Sequence, residues 1–128
     1  MNAGVSAEDL AAAVARVAAV IGSNRYRYSD EHQLHDGIAQ ALAAAGVTAV
    51  AEARLSAADR IDFLVGTVGV EVKVGGSPAA VARQLRRYAA SPGIEALILV
   101  TNRARHRGLP AELGSVPLRV VWLSGVTG

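Results

Sequence analysis

The chain has 128 residues, of which 52% are hydrophobic and 19% are charged. That length fits a single folded domain, and the composition is too apolar for a disordered segment. The absence of cysteine excludes disulfide frameworks, thiolate zinc sites, iron–sulfur clusters and cysteine nucleophiles.

The composition of the charged residues permits a nucleic-acid partner but does not require one. The net charge is only +2, yet twelve of the 13 basic residues are arginine and Lys73 is the only lysine. Arginine suits bidentate contact with phosphate, although a GC-rich genome would produce the same bias. No apolar stretch approaches the roughly 18–20 residues that span a bilayer, and Glu8 and Asp9 stand where a secretory signal is basic. We therefore expect a soluble cytoplasmic protein that does not enter a membrane.

Two helices are predicted in the first third of the chain. Ser6 can cap the first helix, and Gly22 fits the left-handed position that would end it. The apolar stripe of this helix consists of Leu10, Val14, Val17 and Ile21. After a linker at residues 23–28, a second helix begins beyond Ser29 and ends at Gly46. Its inward stripe consists of Leu34, Ile38, Leu42 and Ala45.

A sheet is predicted to follow. Three strands are expected over residues 47–55, 60–65 and 68–74. The last two form a hairpin around the turn at residues 66–67. A third helix begins at Ser77 and Pro78 and extends to about Ala90. The apolar residues 94–101 predict a strand buried on both faces, and the order strand, helix, strand implies a parallel crossover.

The end of the chain completes a single domain. An arginine-containing loop precedes a last strand at residues 118–123, with Trp122 expected in the core. We therefore predict one α/β domain with a mixed sheet of about five strands flanked by helices. Its three parts are the N-terminal helix and linker at residues 1–28, the core at residues 29–101, and the loop and last strand at residues 102–128.

The hairpin carries a charged constellation that suggests chemistry. Glu71 and Lys73 alternate with valines, so both point to one face of their strand. With a turn of two or four residues, Asp62 lies opposite Lys73 or Glu71 and on the same face as both. Neighbouring carboxylates repel each other, and Mg²⁺, which takes oxygen ligands, would relieve that repulsion. A solvated strand face is the alternative for the Glu-x-Lys pair alone.

Neighbouring helices add further polar candidates. Glu31 lies on the helix stripe that should face the sheet, although an acid in a first turn also complements the helix dipole. Gln84 and Tyr88 are four residues apart and share a helix face, where a half-buried core tyrosine is the alternative. Arg83 and Arg87 flank that face as candidate phosphate contacts or as ordinary solvated surface.

A family resemblance emerges from seven residues in chain order: Glu31, Asp62, Glu71, Val72, Lys73, Gln84 and Tyr88. Their order and spacing resemble the PD-(D/E)xK nuclease superfamily, and the Gln-x-x-x-Tyr pair resembles its RecB-type and lambda-exonuclease-type branch. The similarity covers about residues 29–101, and Ile61 replaces the proline that names the motif. The lack of cysteine excludes the iron–sulfur subgroup of this branch.

The resemblance implies a restriction-endonuclease-like core and a metal-dependent nuclease that acts on DNA. The ligands that it implies for one or two Mg²⁺ or Mn²⁺ ions are the carboxylates of Asp62, Glu71 and Glu31 and the carbonyl of Val72. Lys73 would orient the attacking water or stabilise charge on the phosphate. Gln84 and Tyr88 would position the strand that is cut.

Two other groups of residues call for an interpretation. Arg25, Tyr26, Arg27 and Tyr28 combine cations with stacking rings, as single-stranded nucleic-acid sites do, unless the tyrosines fold onto the first helix. The three histidines are not expected to form a metal site, because His32 and His35 fit a polar helix face.

The leading hypothesis is therefore a Mg²⁺-dependent deoxyribonuclease. One alternative is a structure-selective endonuclease that resolves Holliday junctions as a dimer. Another is a non-catalytic DNA-binding or assembly module with the same fold. A third is a structural domain whose clustered charges have no function. So short a chain has little room for a separate recognition domain, which suggests either a homodimer or partner protein that supplies target recognition, or cutting directed by the structure of the DNA.

Overall fold

The computed structural model describes residues 6–123, which contain three α-helices, one 3₁₀ helix and six strands. The α-helices are α1 (Ala7–Gly22), α2 (Glu31–Ala44) and α3 (Pro78–Ala89), and the 3₁₀ helix is η1 (Ala104–Gly108). The strands are β1 (Val50–Arg54), β2 (Arg60–Val65), β3 (Val68–Lys73), β4 (Ala96–Thr101), β5 (Glu112–Leu113) and β6 (Val116–Trp122).

The strands form one mixed sheet in the order β1-β2-β3-β4-β6-β5. Strands β1, β2 and β3 are antiparallel neighbours, whereas β4 is parallel to both β3 and β6. The predicted mixed α/β architecture and the parallel crossover through α3 are therefore confirmed. Over residues 6–123 the sheet has six strands rather than about five, because the two-residue strand β5 is too short to leave a sequence pattern.

Each α-helix begins where a short polar side chain caps it. Ser6, Asp30 and Ser77 accept hydrogen bonds from backbone N–H groups three residues ahead, at 3.1, 2.8 and 3.1 Å. Pro78 occupies the first turn of α3, where its missing N–H costs nothing. The predicted helix starts are confirmed, since Asp30 lies directly beyond Ser29.

The helices cover both faces of the sheet. On the face of α1 and α2, the buried cluster includes Ile21, Ile38, Phe63, Val70 and Val72. On the face of α3, the buried cluster includes Ile61, Leu85, Leu97 and Leu99. The valines of β3 thus pack under α1 and α2.

Three local predictions are wrong. Gly22 does not adopt a left-handed conformation; it is the last helical residue, and Ser23 closes α1 with its N–H bonded to the carbonyl of Ala19. Ala45 is exposed because α2 ends one residue earlier. Trp122 is 39% exposed instead of buried, and the guanidinium carbon of Arg107 lies 4.4 Å from its ring centre.

Within residues 6–123, no helix combines the length and the apolar composition that a membrane span requires.

Candidate active site

The hairpin of β2 and β3 opens at Asp62 and Glu71. Gly66, with a φ of +60°, supplies the first residue of a two-residue turn, and Val65 pairs with Val68. This register places Asp62 across from Glu71, one of the two partners that the sequence allowed. The pairing of β2 with β3 ends at Phe63. Beyond this residue, the side chains of Asp62 and Glu71 accept hydrogen bonds from the backbone of the facing strand.

The two carboxylates bridge the opened strands. The Asp62 N–H donates to Oε1 of Glu71 at 3.2 Å, and the Val72 N–H donates to Oδ2 of Asp62 at 2.7 Å. Lys73 lies at the same point, with its Nζ 3.4 Å from Oε2 of Glu71. The predicted convergence of two carboxylates and one ammonium group is therefore present.

The site is largely, but not completely, shielded from solvent. The side chains of Asp62, Glu71 and Lys73 are 20%, 6% and 21% exposed. Burial, and then the negative charge of Asp62, raises the pKa of Glu71 to about 8. Burial likewise raises the pKa of Asp62, with the charges of Glu31 and Glu52 acting in the same direction. Protonation of Glu71 therefore competes with the binding of a cation.

Helix α2 contributes Glu31 to this site. Glu31 is the first residue of α2, and its Oε1 accepts the N–H of Val74, just beyond β3, at 3.2 Å. The helix start is thus tied to the strand end that carries Lys73. The expectation that Glu31 faces the sheet is confirmed, while its role as a ligand stays a prediction.

The structure adds His35 and Glu52, which the sequence reasoning missed. The Nε2 atom of His35 lies 3.0 Å from Oε2 of Glu52 and 3.9 Å from Oδ1 of Asp62. This nitrogen is buried and has no hydrogen bond within residues 6–123. The imidazole stacks on Phe63, with ring centres 4.3 Å apart. The ring is therefore held with Nε2 facing two carboxylates.

Glu52 reaches this position through an unusual backbone. It is the only residue other than glycine with a positive φ, +53°, within residues 6–123. Its neighbours Ala51 and Ala53 pair with Phe63 and Ile61, so Glu52 lies beside Asp62. A left-handed glutamate is strained, and such residues concentrate at functional sites.

One available signal pointed to His35. Glu31 and His35 are four residues apart and therefore share a face of α2. Glu52 had no comparable signal, because the pairing of β1 with β2 and the left-handed turn of its backbone are set by tertiary contacts.

The carboxylate and imidazole donors fit a divalent cation. One ligand atom from each of His35, Glu52 and Asp62 lies within 4.8 Å of the others. Glu71 and Glu31 lie beside this group, since Glu71 accepts the N–H of Asp62 and Glu31 accepts the N–H of Val74. The Val72 side chain is in the core, and its carbonyl stays a predicted ligand. Hard oxygen donors with one imidazole suit Mg²⁺ or Mn²⁺.

Gln84 and Tyr88 lie beside the site but are joined to its backbone. The Gln84 amide donates to the Tyr88 hydroxyl at 2.7 Å, and that hydroxyl donates to the Arg60 carbonyl at 3.1 Å. Tyr88 is only 2% exposed, and its burial raises its pKa. The pair therefore supports the start of β2, and contact with a DNA strand stays a prediction for the half-buried Gln84.

The linker tyrosines are not free to stack on bases. Tyr28 is 4% exposed within the core, so the structure contradicts a stacking role for it. Tyr26 is half-buried, donates its hydroxyl to the Ile21 carbonyl at 2.8 Å and has its pKa raised by burial to about 12. Both rings pack inward, the alternative that the sequence left open, whereas Arg25 and Arg27 are exposed.

The two arginines predicted on α3 differ in their surroundings. Arg83 and Arg87 are both exposed. Arg87, however, donates from Nε to Oδ1 of Asp59 at 3.2 Å, which neutralises part of its charge. Phosphate contact stays a prediction for both residues.

Comparison of the chain with protein-family models, curated proteins and solved structures finds no match.

Proposed function

We propose that this chain is a Mg²⁺-dependent deoxyribonuclease that hydrolyses phosphodiester bonds at the site formed by Asp62, Glu71 and Lys73. The supporting observation is the opened hairpin, in which two carboxylates replace ladder hydrogen bonds beside the only lysine. A sheet held together by backbone bonds alone would need neither acid there. The arrangement instead brings carboxylate oxygens together at one partly exposed position of the sheet.

The residues that would hold Mg²⁺ or Mn²⁺ are Asp62, Glu71, Glu31, His35, Glu52 and the Val72 carbonyl. A bound divalent cation supplies charge neutralisation at the scissile phosphate and lowers the pKa of water. Asp62 and Glu71 are positioned for this by their bonds to the backbone of the facing strand. The Lys73 ammonium, held beside Glu71, would stabilise negative charge on the phosphate as the bond to the leaving oxygen breaks.

We propose further that the sheet is a restriction-endonuclease-like core. Three antiparallel strands lead through α3 to a parallel strand, and the acids lie in the second and third strands. This is the arrangement that the resemblance implies, and the six-stranded mixed sheet is compatible with it. A homodimer or partner protein that supplies target recognition belongs to the same proposal.

Incubation with supercoiled, linear and single-stranded DNA tests the activity. Cleavage is expected with Mg²⁺ and not with EDTA, and Glu71→Gln and Lys73→Ala should each reduce it by at least 100-fold. Glu95→Gln is a matched control, because Glu95 accepts a hydrogen bond from Thr67 at the other end of β3. Equal cleavage by the wild type and both site variants would refute the proposal.

Two outcomes would point to the alternatives. DNA binding without cleavage would favour a non-catalytic binding module. Preferred cleavage of a four-way junction by a protein with the mass of a dimer would favour a junction resolvase.

A further inference from the structure

The loop after β4 lies next to the candidate active site. Because β3 and β4 are parallel and Lys73 pairs with Thr101, their carboxyl ends meet at one edge of the sheet. The chain beyond Thr101 forms η1 and carries Arg103 and Arg105, both exposed. These arginines are therefore close to the site, although they are distant from its acids in sequence.

Both guanidinium groups are anchored to the segment that follows Lys73. The Arg103 Nε donates to the Val74 carbonyl at 2.7 Å, and the Arg105 Nε donates to the Gly76 carbonyl at 3.2 Å. The N–H of Val74 is the group that donates to Glu31. Each arginine is thus fixed relative to the end of β3.

A fully buried histidine holds the loop in place. His106 is 0% exposed; its Nε2 lies 2.8 Å from the Gly76 carbonyl, and its Nδ1 lies 2.7 Å from the Thr101 hydroxyl. A carbonyl only accepts, so Nε2 carries a proton and donates it to Gly76. The same hydroxyl oxygen accepts the Arg103 N–H at 3.0 Å. The arginines therefore project from a braced loop.

The outer nitrogens of both arginines stay available for a ligand. Within residues 6–123, no Nη atom of Arg103 or Arg105 makes a hydrogen bond, and no carboxylate oxygen lies within 4.0 Å of either group. Arg60 and Arg87, by contrast, pair with Glu52 and Asp59. Within residues 6–123, no acidic side chain therefore offsets the charge of the loop pair.

We propose that Arg103 and Arg105 form a phosphate clamp that binds the backbone of a nucleic acid entering the candidate active site. Each group uses Nε internally and presents two Nη donors outward, a geometry that matches the oxygens of a phosphodiester. Prior anchoring reduces the side-chain entropy lost on binding. The proposal rests on the proposed function for the identity of the ligand, and its test measures binding without cleavage.

DNA binding in EDTA, followed by fluorescence anisotropy over a series of salt concentrations, tests this clamp. Each phosphate contact contributes about 0.7 to 0.9 to the slope of log affinity against log salt. Arg103→Gln and Arg105→Gln should each reduce the slope by about that amount, and the double variant by about twice as much. The affinity of the double variant should fall at least tenfold.

Arg16→Gln is the matched control. Arg16 is an exposed arginine that also donates to a carbonyl, that of Ala45, but it lies at the opposite end of α2 from Glu31. The Arg16→Gln substitution removes the same charge, and it should leave the slope of log affinity against log salt unchanged. Arg103→Lys retains the charge without the Nε bond, so its slope should persist while its affinity falls a few-fold.

The outcomes separate this proposal from the nuclease proposal. Unchanged binding by the double variant, an equal effect of Arg16→Gln, or no DNA binding by the wild type would overturn the clamp. Arginine-dependent binding without Mg²⁺-dependent cleavage would support the clamp and refute the nuclease. Mg²⁺-dependent cleavage together with DNA binding that does not depend on Arg103 and Arg105 would support the nuclease and refute the clamp.

Discussion

At the scale of single residues, the carboxylates of Asp62 and Glu71 stand where backbone groups bond elsewhere in the sheet. The alternation of β3 and the short turn were sufficient to predict that these acids share a face, with Asp62 opposite either Glu71 or Lys73, and the register of the hairpin selects Glu71. The sequence could not show that they would bond to the backbone, because the point where two paired strands separate is set by tertiary contacts and leaves no local pattern. For the same reason Glu52 was not foreseen.

The protonation of Glu71 makes the stability of the metal-free protein depend on pH. Its pKa rises from 4.5 to about 8 in the folded state, so the folded protein keeps a proton that the unfolded chain loses. The free energy of unfolding should therefore fall as pH rises through that interval, by up to about 1.4 kcal/mol per pH unit. Urea unfolding in EDTA at several pH values measures this slope.

Glu71→Gln should flatten this dependence, and Asp62, whose pKa is also raised, should account for part of what remains. Glu95→Gln serves as the control and should leave the slope as it is. A slope that survives unchanged in Glu71→Gln would contradict the assignment of the proton.

His35 makes a second prediction at this scale. Its buried Nε2 lacks a hydrogen bond and faces Asp62 and Glu52, so it should bind a transition ion such as Mn²⁺. Mutation of a residue that only orients a metal ligand weakens metal binding about 10–100-fold. Loss of a ligand itself in His35→Ala should therefore lower the affinity for Mn²⁺ at least tenfold. Calorimetric titration with Mn²⁺ measures this, with His32→Ala as an exposed control from the same helix. Equal affinities of the two variants would exclude His35 as a ligand.

At the scale of the elements, helices were easier to predict than strand boundaries. The capping residues Ser6 and Ser77 mark their helices by local hydrogen bonds, which sequence patterns capture. Strand β1 begins at Val50, three residues later than predicted, because pairing with Leu64 of β2 defines its start. Pairing partners far apart in sequence leave no local pattern.

Gly69 on β3 leaves room for side chains of the neighbouring strands β2 and β4. A Cβ atom at this position would lie 2.5 Å from Cδ1 of Ile61 and 3.0 Å from Cδ2 of Leu97. Gly69→Ala should therefore destabilise the fold by about 1–3 kcal/mol through overpacking. The midpoint of urea unfolding measures the loss.

Gly93→Ala provides the comparison, since a Cβ there meets nothing within 4 Å. If both alanine variants were equally stable, the β3 layer would be looser than the structure indicates.

At the scale of the whole molecule, the site joins elements from different parts of the chain. Helix α2 supplies Glu31 and His35, the β2–β3 hairpin supplies the acids and Lys73, and β1 supplies Glu52. The resemblance implied roles for the charged residues of the hairpin and for Gln84 and Tyr88 of α3. It did not imply a contribution of β1 or of the loop after β4, since neither carries a residue of the nuclease motif.

A bound cation should consequently stabilise the entire fold. Mg²⁺ that binds only the folded state at 100 times its Kd contributes about 2.7 kcal/mol. The Tm should therefore rise on addition of Mg²⁺ at pH 8 and return with EDTA, and the rise should be lost in Asp62→Asn. The same rise in wild type and Asp62→Asn would place metal binding elsewhere on the protein.

The solitary lysine beside Glu71 also offers a direct spectroscopic view of the site. Reductive methylation with ¹³C-formaldehyde would label one side chain, Lys73, apart from the α-amino group. Because Lys73 Nζ is 3.4 Å from Glu71 Oε2 and the side chain is 21% exposed, its methyl resonance would report on ions and oligonucleotides at that point. A single NMR signal could then follow occupancy in solution without any engineered probe.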